Sequence, residues 1–203
     1  MKELPEFYVV YTSIGRRGIA ETRNYKTSPF IVLYDSLEVQ NFGVKVELRI
    51  ISEDKYRLGI KGIKNSEREL SLGERFIGFG FDFLIEKRDT LNFKYDPNAS
   101  NKYYFYFVSP TTLANQYRNK LSVVPIDEDA SLVTLKTNGF VPEQEAEYLN
   151  KLMDVYLDYG LENKNETADK TIEFIGYQLG VISDSLKIAE NDLESFRLAN
   201  KLI

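Results

Sequence analysis

The sequence contains no cysteine and no histidine among its 203 residues. Without cysteine it has no disulfide, no thiol nucleophile and no cysteine-ligated zinc, so it tolerates an oxidising or a reducing compartment. Without histidine it lacks the commonest protein metal ligand and the commonest general base of enzymes. We therefore expect no metal ion and no cofactor in this chain.

Long hydrophobic runs and clusters of positive charge are also missing. No apolar stretch approaches the roughly 18 residues of a membrane helix, and the N-terminal MKELPEF lacks a signal-peptide core. The chain has 26 basic and 31 acidic residues, and the basic ones are dispersed. Since a nucleic-acid partner needs a basic patch, we exclude one, and we expect the chain as it stands to be soluble.

The first hundred residues have the composition and alternation of β-strands. The clearest pair flanks a break at 52–55 and predicts an antiparallel hairpin. The segment 77–85 alternates as one long strand, in which Gly78 and Gly80 leave one face bare. The strand-like segments are 7–12, 30–34, 44–50, 56–61, 77–85, 91–95 and 102–108, the last two forming a hairpin.

After Val108 the spacing of the apolar residues changes from the alternation typical of strands to the spacing typical of a helix. Ser109 and Pro110 are typical of a helix N-cap and first position, and apolar residues at four-residue spacing predict a short helix from there to Leu121. The pattern then predicts two strands, at 123–126 and 132–137. Pro142 then begins a helix of roughly sixty residues, about 90 Å long at 1.5 Å per residue.

Two apolar sets mark the long helix. Near its start a wide set of apolar residues, the docking stripe, is suited to packing on a sheet: Leu149, Leu152, Met153, Tyr156 and Leu157. Farther on, apolar residues alternate in steps of three and four, which is typical of a coiled coil and predicts a helical partner. This heptad seam consists of Ile172, Ile175, Leu179, Ile182, Leu186, Ala189, Leu193 and Phe196, and Asn200 and Ile203 continue its count.

These patterns predict an α+β fold with three parts. Residues 1–108 are a β-rich region with antiparallel strands, and residues 109–160 are a small α/β base that includes the start of the long helix. Residues 161–203 are the part that carries the heptad seam, and we expect it to project as one arm of a coiled-coil hairpin. The seam residues should then be poorly buried by this chain alone. A helix packed on the molecule's own core is the alternative.

No catalytic motif stands out. The GFGF run at 78–81 lies within a strand pattern, so it does not fit a phosphate-binding loop. The acidic residues Glu53, Asp54 and 127–129 fall in predicted turns, where acids commonly solvate the chain. An aromatic strand with Tyr103, Tyr104 and Tyr106 could stack sugars if several rings were exposed together, although such strands are more often core.

The chain resembles the polysaccharide co-polymerases, the Wzz-type chain-length determinants. The runs NQYRNKLSVVPIDEDASLVTL, EAEYLNKLMDVYLDYGLENKNETADKTIEFIGYQL and SDSLKIAENDLESFRLAN carry the resemblance. The N-terminal SIGRRGIAETRNYKTSPFIVLYDS is similar to the subgroup fused to a bacterial tyrosine autokinase. Positions that match the family pattern are Ser131–Thr134, Pro142, Ala146, Asn150 and Tyr156.

The resemblance implies a periplasmic domain of an inner-membrane protein, held by two membrane helices outside this chain. It implies a homo-oligomer that sets the length of an exported capsular or exopolysaccharide together with a polymerase and the growing polysaccharide. It implies no catalytic residue here, because any kinase domain would lie elsewhere in the full-length protein. Two alternatives stay open: a periplasmic adaptor of an export system, and a carbohydrate-binding β module on a coiled-coil stalk.

Overall fold

A computed structural model describes residues 4–35, 38, 40–88, 95–127 and 132–199. The fold is α+β, as the sequence predicts, with antiparallel sheets followed by a long helix. The chain falls into two compact units, Met1–Asn150 and Lys151–Ile203. The predicted division into three parts stays a prediction.

The described residues form eleven strands, two α-helices and a 3₁₀-helix. The strands are β1 (Val9–Ile14), β2 (Glu21–Asn24), β3 (Phe30–Leu33), β4 (Val46–Ile50), β5 (Lys55–Ile60), β6 (Arg68–Ser71), β7 (Arg75–Gly78), β8 (Phe81–Lys87), β9 (Lys102–Phe107), β10 (Ser122–Pro125) and β11 (Val133–Lys136). The helices are the 3₁₀-helix Pro5–Tyr8, α1 (Pro110–Lys120) and α2 (Pro142–Ala199).

Two antiparallel sheets pack against each other in the first unit. The larger has the strand order β2-β1-β9-β4-β5-β6, and the smaller has the order β3-β8-β7. Aromatic rings join them: Phe83 of β8 meets Phe105 of β9 edge to face, with ring centroids 5.2 Å apart. The first unit is therefore a small antiparallel sandwich, whereas the sequence pattern predicts antiparallel strands without distinguishing a single sheet from a sandwich. Its buried core consists of Val9, Tyr11, Phe30, Val32, Val46, Leu48, Ile50, Tyr56, Leu58, Ile60, Phe76, Phe81, Phe83, Ile85, Phe105 and Phe107.

The β4–β5 hairpin is confirmed, with Val46 opposite Ile60. The single long strand predicted over 77–85 is wrong, because the chain reverses at Phe79 and Gly80 between β7 and β8. Both turn residues have positive φ, +53° and +77°, as a type I′ hairpin turn requires. Asn41 Nδ2 donates to Phe79 O at 2.8 Å and fixes the turn. A Cβ on residue 80 would lie 2.6 Å from that nitrogen, so a larger residue would have to displace the Asn41 amide as well as adopt the positive φ that favours glycine.

The pairing of β9 differs from the predicted last hairpin. Residues 91–94 of that hairpin lie outside the described residues, whereas β9 pairs with β1 on one side and β4 on the other. The polar strands β2 and β6 were not predicted, and both lie at edges of the larger sheet. Their sequences, ETRN and RELS, lack the apolar alternation that reveals the inner strands.

The hydroxyl of Tyr11 satisfies a backbone group of β3 across the sandwich. The Val32 N–H donates to Tyr11 Oη at 3.0 Å, and burial raises the pKa of this phenol. We expect Tyr11→Phe to lower the free energy of unfolding by about 1–3 kcal/mol, since it leaves a buried N–H without a partner. Urea denaturation measures the change. Tyr106→Phe is the control because the Tyr106 hydroxyl makes no hydrogen bond with a described residue. Equal losses in the two variants would contradict the role given to Tyr11.

A second, smaller cluster joins the helices to the sandwich. The rings of Phe7 and Tyr117 lie 5.4 Å apart, and those of Tyr117 and Tyr148 lie 4.5 Å apart. They connect the 3₁₀-helix, α1 and the first turns of α2. The predicted cap of α1 is confirmed: Ser109 accepts from Thr112 N at 3.2 Å, and Pro110 follows at the first helical position.

Candidate interaction surfaces

The heptad seam of α2 is exposed. Ile172, Leu179, Leu186 and Leu193 each have between 51% and 68% of their surface open to solvent, and the other seam residues are exposed as well. Exposed apolar side chains at regular helical spacing form a contiguous stripe, which is typical of an interaction surface. A partner helix on this seam stays a prediction.

A second apolar row, missed by the sequence reasoning, follows the same part of α2. Phe174, Tyr177, Val181 and Ile188 repeat in steps of three, four and seven and are 45–69% exposed. At 3.6 residues per turn this second seam is centred roughly 140° around the helix from the heptad seam. The heptad seam is therefore not the whole of the apolar surface of α2 between Ile172 and Ile188. The spacing of Phe174, Tyr177 and Val181 was a signal that could have revealed the second row.

The docking stripe spans the boundary between the two units. Leu149 and Leu152 are half-buried, whereas Met153, Tyr156 and Leu157 are exposed. Its predicted role in packing on a sheet stays a prediction. Within the first unit, the buried residues of α2 are instead Glu145 and Tyr148, which sequence reasoning did not single out.

Glu145 is the centre of a buried polar network at the start of α2. One carboxylate oxygen pairs with Lys120 Nζ at 2.9 Å, and the other accepts from Thr137 Oγ1 at 2.9 Å. Burial, and then the Glu145 carboxylate, raises the pKa of both neighbouring phenols, Tyr117 and Tyr148. The network ties α1, the segment after β11 and α2 together.

A groove of about 500 Å³ opens beside this network in the first unit. Its buried lining residues are apolar or aromatic except for Glu145, and its more exposed ones include amides and Arg23. The Arg23 guanidinium carbon lies 5.7 Å from the centroid of the Phe140 ring. A groove of this size falls in the range that small ligands use. The lining residues are Phe7, Arg23, Leu113, Gln116, Tyr117, Lys120, Asn138, Gly139, Phe140, Gln144 and Glu145.

The other sequence candidates do not come together as a site. In the aromatic strand Tyr104 is buried together with Phe105 and Phe107, while Tyr103 and Tyr106 are half-buried. That strand therefore offers no exposed row of rings, so the condition for sugar stacking on it is not met. The GFGF run forms the β7–β8 turn, and Glu53 and Asp54 are exposed in a turn. Of the acidic run 127–129, only Asp127 lies among the described residues, where it is exposed.

The two strands predicted at 123–126 and 132–137 are confirmed as β10 and β11, which pair with each other, Val123 opposite Leu135. Val123, Val124 and Val133 are nonetheless about half exposed. Within the described ranges, no cluster of three or more acidic residues is arranged to hold a metal ion. No described helix has a stretch apolar and long enough to cross a membrane.

No family model matches the chain. Among curated proteins, the chain is similar to tyrosine-protein kinase wzc of Salmonella typhimurium, with 32% identity over 85 residues, 42% of this chain and 12% of that protein. The protein of the same name from Salmonella typhi is 31% identical over 85 residues, with the same shares. The putative tyrosine-protein kinase AmsA of Erwinia amylovora is 32% identical over 79 residues, 39% of this chain and 11% of that protein. The matched segment thus amounts to about an eighth of these relatives, and it shows partial homology to them.

Proposed function

We propose that this chain is a non-catalytic, periplasmic part of an inner-membrane polysaccharide co-polymerase. It assembles with copies of itself through α2 and, with a polymerase, regulates the chain length and export of a capsular or exopolysaccharide. The observation that carries the proposal is the pair of exposed apolar seams on α2, one of them in heptad spacing. Such seams are stabilised only when other helices cover them.

The partial homology supports the choice of family. The family that the chain resembles includes a subgroup fused to a tyrosine autokinase, and the three relatives described above carry the name of a tyrosine-protein kinase. Any kinase activity of the full-length protein would belong to a part beyond this chain, as would the two membrane helices.

Two seams on one helix favour a bundle of more than two helices. In a two-stranded coiled coil the partner helix covers one heptad seam. Two seams roughly 140° apart therefore need a separate partner helix each. A returning arm of a hairpin would occupy one seam, and a neighbouring copy would occupy the other. When the neighbouring copy meets that seam with a different surface of its own, the same contact repeats from subunit to subunit and closes into a homo-oligomeric ring.

Three single substitutions, each adding one positive charge within six residues of α2, test the assembly. Leu186→Lys changes the heptad seam, Ile188→Lys changes the second seam, and Asn191→Lys changes a polar position. We expect the first two to weaken self-association by about tenfold or more, because each would bury an unpaired ammonium group. Asn191→Lys should associate as the unchanged protein does. Sedimentation velocity of the full-length protein in detergent gives the oligomeric state.

Polysaccharide analysis in the source bacterium tests the function itself. Deleting the gene should shift the length distribution of the exported polysaccharide, and only the unchanged gene or the Asn191→Lys variant should restore it. Gel electrophoresis of the polysaccharide gives the distribution. An unchanged distribution after deletion would refute the function, and normal lengths with a dissociated Leu186→Lys protein would refute the role of α2.

A further inference from the structure

We infer that the groove between α1 and the start of α2 binds an acidic sugar residue, such as a uronate, of a polysaccharide. Its lining combines one cation and several amides that have no hydrogen-bond or ion-pair partner among the described residues, together with an exposed aromatic ring. This inference rests on the proposed function for the source of its ligand, but the recognition is argued from the groove alone.

Arg23 supplies the charge that an anionic ligand needs. Two other cations of this unit are paired: Lys26 contacts Glu147 at 2.6 Å and Lys120 contacts Glu145 at 2.9 Å. Among the described residues no carboxylate forms an ion pair with Arg23, which is half-buried beside Phe140. A guanidinium presents a planar fork of donors that matches a carboxylate. One such cation favours a singly charged carboxylate over a multiply charged phosphate.

The amides supply groups suited to hydroxyls. Gln116, Asn138 and Gln144 line the groove, and none of their side chains hydrogen-bonds another described residue. An amide both donates and accepts, as a sugar hydroxyl does, so three amides around one groove can pair with several hydroxyls. A purely apolar acid would leave these amides without partners, which makes a polyhydroxylated anion the better fit.

Phe140 supplies the apolar surface. Its side chain is 84% exposed at the rim of the groove, although it belongs to the same unit as the core. A pyranose ring has a face of C–H groups that packs on an aromatic ring, and Arg23 on Phe140 positions the cation next to that ring. An acidic sugar on Phe140 would therefore bring its carboxylate within reach of Arg23.

The wall of the groove is fixed before any ligand arrives. Gly139 lies so close to Glu145 that a Cβ would overlap the carboxyl group, and Glu145 is in turn held by Lys120 and Thr137. Phe140 follows directly on this anchored residue. A site whose wall is already ordered loses little conformational entropy when it binds.

The inference is tested by titrating the 203-residue chain with trigalacturonate and measuring binding by calorimetry and NMR. We expect binding, weakened about tenfold or more by Arg23→Gln, which removes the charge. The carboxyl-reduced trimer should bind about tenfold more weakly than trigalacturonate and should be insensitive to Arg23→Gln. Phe140→Ala should weaken the binding of both trimers. Arg17→Gln is the matched control, because Arg17 is an exposed arginine in the β1–β2 turn.

Four results would overturn the inference. They are no binding of trigalacturonate at about 10 mM, equal losses in Arg23→Gln and Arg17→Gln, equal binding of both trimers, and binding of citrate as tight as that of trigalacturonate. The last result would indicate a general carboxylate site. Assembly through α2 and polysaccharide length are separate measurements, so a groove without sugar affinity leaves the proposed function standing. Conversely, the chain could bind the sugar while deletion of its gene leaves polysaccharide length unchanged. That pair of results would refute only the proposed function.

Discussion

Replacing Phe105 by alanine should lower the free energy of unfolding of the first unit by about 3–5 kcal/mol. Phe105 is fully buried on β9, the strand between β1 and β4. Its ring centroid lies 5.2 Å from that of Phe83 and 5.8 Å from that of Phe107. Truncation would remove these contacts and leave a cavity between the two sheets. Since a domain of this size has only about 5–15 kcal/mol of stability, the loss would be a large fraction of the total.

Chemical denaturation followed by near-ultraviolet circular dichroism measures this loss. Phe105→Leu retains part of the volume and should cost less, and it remains measurable if the alanine variant does not fold. Phe42→Ala is the control for losing a phenyl ring, because Phe42 is about half exposed. A loss for Phe105→Ala no larger than that for Phe42→Ala would show that β9 does not anchor the core.

The second large effect is expected at the start of α2. Glu145→Ala should cost about 3 kcal/mol, because it leaves the Lys120 ammonium and the Thr137 hydroxyl without their partner. This cost lies at the lower end of the range for breaking a buried ion pair, because the Lys120 side chain is 33% exposed. Gly139→Ala should cost about 1–3 kcal/mol by a different route, because its methyl group overlaps the Glu145 carboxyl group.

The two substitutions should not be additive. Once Glu145 is truncated, the methyl group of Gly139→Ala has space, so its additional cost should fall to about 0.5 kcal/mol or less. A double-mutant cycle by urea denaturation gives the coupling. Gly78→Ala is the control, since a Cβ there would make an ordinary contact 3.8 Å from Phe76. Additive losses would mean that Gly139 and Glu145 do not constrain each other.

Gly139 and Glu145 belong both to the buried network and to the lining of the proposed sugar groove, so the stability of the first unit and sugar binding depend on the same residues. Gly139 and Glu145 hold the chain from which Phe140 extends into solvent. A variant that loosens this wall should therefore weaken trigalacturonate binding as well as stability. Phe140→Ala separates the two effects, because it removes an exposed ring and leaves the network in place.

Sequence patterns predicted well those elements whose signals are local. The β4–β5 hairpin follows from alternation on both sides of a short break, and α1 follows from the cap at Ser109 and Pro110. The start of α2 at Pro142 and its continuation to Ala199 follow in the same way from a first-turn proline and the lack of later breakers.

Other features could not be predicted because their signals are not local. Alternation continues in phase through the β7–β8 turn, so the pattern alone cannot distinguish one strand from a tight hairpin; the turn depends on Asn41, far along the chain. Tyr103, Tyr104 and Tyr106 look alike in sequence, yet the register of β9 with β1 and β4 decides which of their rings are covered.

The sequence by itself determined the class of fold, the β-rich first part, the capped helix α1 and the heptad seam of α2. Each depends on residues a few positions apart, whose side chains interact within one element or one hairpin. Only the tertiary structure decided the order of the strands, the burial of Glu145 against Gly139 and the groove that brings Arg23 to Phe140. Those features depend on contacts between residues far apart in the chain, and no local periodicity specifies which distant groups will meet.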